Sequence, residues 1–189
     1  WYLPIFVLVI ANEDSIEDAG IGYRDILQVR TGKSRYLRTK LVGSFNIIFL
    51  IVFLGLLLNM ALAYICFRDG TYTQEEPNEV LIRDIEIITK AHPVAANLVY
   101  ICIASFLAGL LAAAGTALAI TVKDRKLVYG LTFILWFIPV IINHSVMYVI
   151  QPFIGVNYEH VVPTFLGVVI SYLLIIGTAV FLEVRDDEL

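Results

Sequence analysis

Four stretches of this chain, 41–67, 95–122, 127–150 and 161–182, stay apolar beyond the ~18 residues at which a membrane-crossing helix becomes the default reading. In hydrocarbon every backbone N–H and C=O must be satisfied inside the protein, so runs of this length are expected to be helical. Residues 1–11, WYLPIFVLVIA, cover about half the length needed and read as the end of a further span. A signal-peptide core is the competing reading, but no charged n-region supports it. With 16% charged residues against about 25% in soluble domains, and a mean hydropathy of +0.83, the chain reads as a membrane protein. The expected fold is an all-α polytopic bundle, one domain over 1–189, with five visible spans.

Five crossings oblige the polar segments 12–40, 68–94, 123–126, 151–160 and 183–189 to alternate sides. Arg24, Arg30, Lys33, Arg35, Arg38, Lys40, Lys123, Arg125, Lys126 and Arg185, ten of the 13 basic residues, fall on one side, and Arg68, Arg83 and Lys90 on the other. Positive residues accumulate in cytoplasmic loops, so 12–40 and the tail 183–189 are expected to be cytoplasmic. Nucleic acid is not expected as a partner: the net charge is −4 and the basic residues form one short cluster.

Several short motifs carry no chemistry. Gly32-Lys33-Ser34 ends like a P-loop, but that loop needs a glycine where this chain has Leu27, and the upstream YRDILQ lacks the apolar run of a launching strand. The terminal DDEL would lie on the wrong side for a lumenal retention signal. The sequon Asn143-His144-Ser145 lies in an apolar run. Cys66 and Cys102 sit inside hydrophobic runs, where a thiol acts as a small filler. Glu75-Glu76 lies in a Pro- and Asn-containing loop rather than at membrane depth, which disfavours an intramembrane hydrolase. No nucleophile–base pair, metal-spaced cluster or cofactor fingerprint is present.

Within 12–40 the chain divides at Gly32. Residues 23–30 can form a short helix with Tyr23, Ile26, Leu27 and Arg30 on one face. Ser34 is then the expected N-cap of the helix that enters the membrane. Such a short amphipathic helix either floats on lipid headgroups or docks in a groove of a partner. On the other side, NEVLIRDIEIITK places Leu81, Ile82, Ile85 and Ile88 on one face of an external amphipathic helix. The run 95–122 carries Ser105, Gly109, Ala112, Ala113, Ala114, Gly115 and Ala119, small residues that let helix backbones approach. Among the histidines only His144 lies at depth, and a helix break after Pro139, with the chain turning back as a re-entrant element, would account for it.

DAGIGYRDILQVRTGKSRYLRTKLVGSFNIIFLIVFLGLLLNMALAY, 18–64, resembles the region of type-2 ATP-binding-cassette (ABC) permeases, bacterial in type, where a short cytoplasmic helix and a basic Arg-Tyr-Leu-x-x-Lys stretch precede the third span. HPVAANLVYICIASFLAGLLAAAGTALAITVKDRKLVYGLTFILWFIP, 92–139, is similar to their fourth and fifth spans. The resemblance implies six spans with both termini cytoplasmic, so that the first span and the start of the second are missing here. It implies an exporter permease of the plasma membrane paired with a second permease subunit and driven by separate ATPase subunits. No cofactor is then expected in this chain, and ATP and Mg belong to the ATPase. The family's coupling helix, which the ATPase moves, carries over to Gly20, Tyr23, Arg24, Asp25, Ile26, Leu27 and Arg30. Its re-entrant outer segment carries over to 143–158, with Asn143, His144, Pro152 and Tyr158. Substrates of this family include peptides, lipids and drugs, and none is marked in this sequence. A non-transporting membrane scaffold or assembly factor is the alternative.

Overall fold

A computed structural model of the chain describes residues 3–67, 92–122, 124–143, 145–151 and 158–185, without the side chains of Ala19, Asp25, Tyr158 and Val184. The external helix expected over 78–90, Glu75, Glu76, His144 and Pro152 lie outside the described residues. All regular structure among the described residues is helical: α1 (Leu3–Val7), a π-helical turn (Leu8–Asn12), α2 (Glu13–Gly20), α3 (Tyr23–Thr31), α4 (Lys33–Cys66), α5 (Pro93–Thr121), α6 (Arg125–Ile141), α7 (Met147–Ile150) and α8 (Tyr158–Arg185). Three of these, α4, α5 and the part of α8 from Glu159 to Glu183, are long and apolar enough to cross a membrane.

α5 is the centre. Of its most apolar window 61% is buried, against 11% for α4 and 17% for α8. Small residues make this possible, because they let neighbours close on the backbone from several sides. Leu107, Ala108, Leu111, Ala112 and Ala114 are fully enclosed, with Ile48 of α4 and Tyr172 of α8 in the same core. A Cβ on Gly109 would lie 2.9 Å from the Phe45 ring of α4, so glycine sets how closely α4 approaches.

The first helix does not end where the sequence turns polar. α1, the π turn and α2 run on without a break from Leu3 to Gly20. A π turn shifts the residues after it around the helix axis, and the turn ends at the completely buried Asn12. Asn12 Oδ1 accepts the Thr116 hydroxyl at 3.2 Å, and its side chain occupies the space that a Cβ on Gly115 would need. Gly115→Ala is therefore expected to cost about 1–3 kcal/mol by overpacking, and almost nothing once Asn12 is also alanine. Thermal unfolding of the wild type, both single variants and the double variant in detergent measures this coupling. Equal losses in both backgrounds would rule the clash out.

The apolar run 127–150 contains two elements. α6 carries Pro139 inside it and stops at Ile141. Proline has no N–H for the carbonyl four residues back, and the Tyr172 hydroxyl of α8 donates to that carbonyl, Leu135 O, at a long 3.5 Å. Beyond Ile141 the chain folds back on itself. Val146 N donates to Pro139 O at 2.9 Å; the Ser145 hydroxyl donates to Val140 O at 2.8 Å and accepts from Met147 N at 3.2 Å. The short α7 then buries Val149, and Val146 just before it, against α5 and α8.

α4 also starts differently from expectation. Its cap position is Gly32, at φ 82° and ψ 136°, without a side-chain cap hydrogen bond, and Ser34 lies inside the helix. The left-handed φ needs no compensation at glycine, so the backbone turn rather than a hydroxyl marks this boundary.

Candidate partner-docking helix

α3 is held between two glycines in the left-handed region, Gly22 at φ 72° and Gly32 at φ 82°. Glycine populates this region without the Cβ penalty of other residues, so a nine-residue helix can be set off from α2 before it and α4 after it. It packs against both.

The inward side of α3 is polar. Arg24 Nη1 donates to the Ile120 carbonyl at the end of α5, at 2.7 Å. Its Nη2 pairs with Glu183 near the end of α8, 159 residues away in the chain. Lys33 Nζ, at the start of α4, lies 3.7 Å from the same carboxylate. The Arg24 and Glu183 side chains are only 11% and 10% accessible, so this pairing is mostly desolvated. Further polar contacts fix the preceding helix: Lys40 of α4 reaches Asp14 at 2.5 Å and Asp18 at 2.7 Å, and Glu13 accepts from Arg125 and from the Tyr129 hydroxyl of α6. The hydrogen bond to Tyr129, then the pairing with Glu13, raises the pKa of the Arg125 guanidinium above its ordinary value. The stretch from Glu13 to Lys33 is thereby tied to one end of α4, α5, α6 and α8.

The outward side is apolar. Val29 is 87% exposed and Ile26 56%, with Ile21 and Tyr23 exposed beside them. Of the expected face, Tyr23, Ile26 and Arg30 are outward, whereas Leu27 is half-buried. The face is turned from Leu27 towards Val29, because Arg24 must point inward to reach Glu183. Arg24 thus sits on the opposite side of α3 from Ile26 and Val29. Gly20 is exposed at the end of α2, and the Asp25 side chain is outside the description. At the far end of the bundle, Asn143 is exposed in the turn after α6, and Tyr158 opens α8.

Glu183, Val29 and Asn12 were not singled out by sequence reasoning. The available signal for Glu183 was its place as the first acid after the apolar run 161–182: such a residue needs a cation at the same depth, and the basic residues of 24–40 lie on that side.

No family model and no solved structure matches the chain. A protein from Bacillus subtilis (strain 168), described as uncharacterized protein YybM, is 32% identical over 190 residues that cover 100% of this chain and 75% of the relative.

Proposed function

We propose that this chain, which belongs to the same family as YybM of Bacillus subtilis, is the transmembrane permease subunit of an ABC exporter. On this reading it is a multi-pass protein of a bacterial plasma membrane with its C-terminus in the cytoplasm. It moves a substrate of unassigned identity, peptide, lipid-like or drug-like, with ATP and Mg bound and hydrolysed in a separate ATPase subunit, and a second permease subunit completes the path. The turn after Ile141 and α7 form the outer re-entrant element.

The observation that carries this reading is α3. Its exposed aliphatic side chains, Ile26 and Val29, suit a partner's groove, and its opposite side is bonded to the ends of α5 and α8. A displacement of α3 by a partner is therefore delivered to two buried or spanning helices, as coupling requires. Purification from native membranes in mild detergent tests the proposal. The expected complex holds a P-loop ATPase and at least two permease subunits; a monomer that brings down no nucleotide-binding protein would favour the scaffold.

Orientation has its own test. In a background with Cys66 and Cys102 replaced, a cysteine at the exposed Ser34 is expected to be shielded from an impermeant thiol reagent on intact cells, and one at Thr73 to react. Labelling at position 34 from outside would invert the topology and remove the coupling assignment with it.

A further inference from the structure

α6 and α8 both pack on α5 but hardly touch one another. At the end of the bundle away from Glu183 an open groove of about 450 Å³ runs between them, within the roughly 300–1,000 Å³ of small-molecule sites. The gap follows from sequence. Pro163, Gly167 and Ser171 recur every fourth residue along the α8 wall, facing Ile138 and Pro139 of α6 and Ile142 just beyond its end. A Cβ on Gly167 would meet nothing within 4 Å. The wall hydroxyls are already used: Thr164 donates to His160 O and Ser171 to Val168 O, each at 2.7 Å. The surface offered along the groove is accordingly hydrocarbon.

Its mouth differs. The exposed carboxylate of Glu159 stands there with His160, and Pro163 has no N–H to offer the Glu159 carbonyl four residues back. Two oxygen acceptors, one of them charged, therefore lie at one end of an apolar groove on a helix apolar enough to cross a membrane. We infer that this groove binds a single-chain amphiphile with a cationic head, the chain lying along Pro163, Gly167 and Ser171 and the head at Glu159. A phospholipid would bring its phosphate against the carboxylate and is disfavoured by charge.

The test uses the full chain in phosphatidylcholine nanodiscs and measures equilibrium binding of dodecylammonium, with dodecyl sulfate as the anionic counterpart. Saturable dodecylammonium binding is expected for the wild type and for Gly177→Leu, a glycine of α8 outside the groove whose Cβ also meets nothing within 4 Å. Gly167→Leu, which fills the groove, is expected to abolish it. Glu159→Gln alters only an exposed group and is expected to weaken it by about three- to fivefold, the usual scale of an exposed charge pair. Dodecyl sulfate is expected to show no saturable binding. The inference fails if Gly167→Leu binds like the wild type, if dodecyl sulfate binds as well as dodecylammonium, or if Glu159→Gln changes nothing. It also fails if Gly167→Leu alters only the oligomeric state, since the groove would then belong to a second copy of the chain.

Discussion

Aspartate at both Ile26 and Val29 should abolish recovery of the ATPase subunit while leaving the protein inserted and at normal membrane levels. Both side chains are largely exposed on α3, so neither contributes to the packing of the bundle, and the substitution has little to unfold. In a docked complex each would be desolvated, and burial of an aliphatic side chain is worth roughly 1.5–3 kcal/mol. Placing carboxylates there adds the cost of burying an unpaired charge. The expected loss is therefore several kcal/mol of association, with transport disappearing alongside. Two comparisons isolate the cause. Leu27→Asp alters a half-buried residue and is expected to lower expression instead, because it damages the packing of α3 itself. Val80→Asp, on the opposite side in the proposed topology, is expected to leave the complex intact. Undiminished ATPase recovery in the Ile26→Asp, Val29→Asp protein would mean that α3 lies on lipid and that the coupling assignment is wrong.

Removing the carboxylate of Glu183 should loosen α3 from the bundle. Glu183→Ala leaves Arg24 and Lys33 near one another without their shared counter-charge. Breaking a buried pair by deleting one partner costs roughly 3–5 kcal/mol, and with both side chains still about one-tenth accessible an expected loss of about 2–4 kcal/mol is appropriate. Glu183→Gln should lose less, since its amide oxygen still accepts from Arg24. The measurements are thermal unfolding in detergent and the rate of tryptic cleavage at Arg24 and Arg30, which should rise as α3 detaches. If neither changes in Glu183→Ala, the pair does not anchor the helix, and displacement of α3 would not reach α8 by this route.

The candidate site is half legible in the sequence. Gly32 marked a boundary, and the spacing of Tyr23, Ile26, Leu27 and Arg30 allowed a short amphipathic helix there; α3 spans Tyr23–Thr31. Its rotation was not legible. Tyr23, Ile26, Leu27 and Arg30 share a face by spacing alone, but Leu27 and Val29 are comparable in hydrophobicity and spacing cannot choose between them. What chooses is Arg24, which turns inward because Glu183 offers the counter-charge at the same depth. The external amphipathic helix and, within the outer re-entrant segment, His144 and residues 152–157 fall outside the described residues.

By itself the sequence determined the helical class and the existence of membrane-length helices, because long apolar runs in hydrocarbon leave the backbone no other way to satisfy its polar groups. It also determined which helix accepts close neighbours, because only the run with repeated Gly and Ala can be approached from several sides. Tertiary structure alone decided where those runs stop and which polar residues meet. The run 127–150 ends its helix at Ile141 and folds back, since Ser145 and the Pro139 carbonyl provide hydrogen bonds for the turn, whereas hydropathy is continuous through it. Asn12 reads as the start of a polar segment, yet it is buried against Gly115 and Thr116. Its burial depends on a glycine far along the chain that leaves room for it, and periodicity within a single helix carries no information about partners that distant.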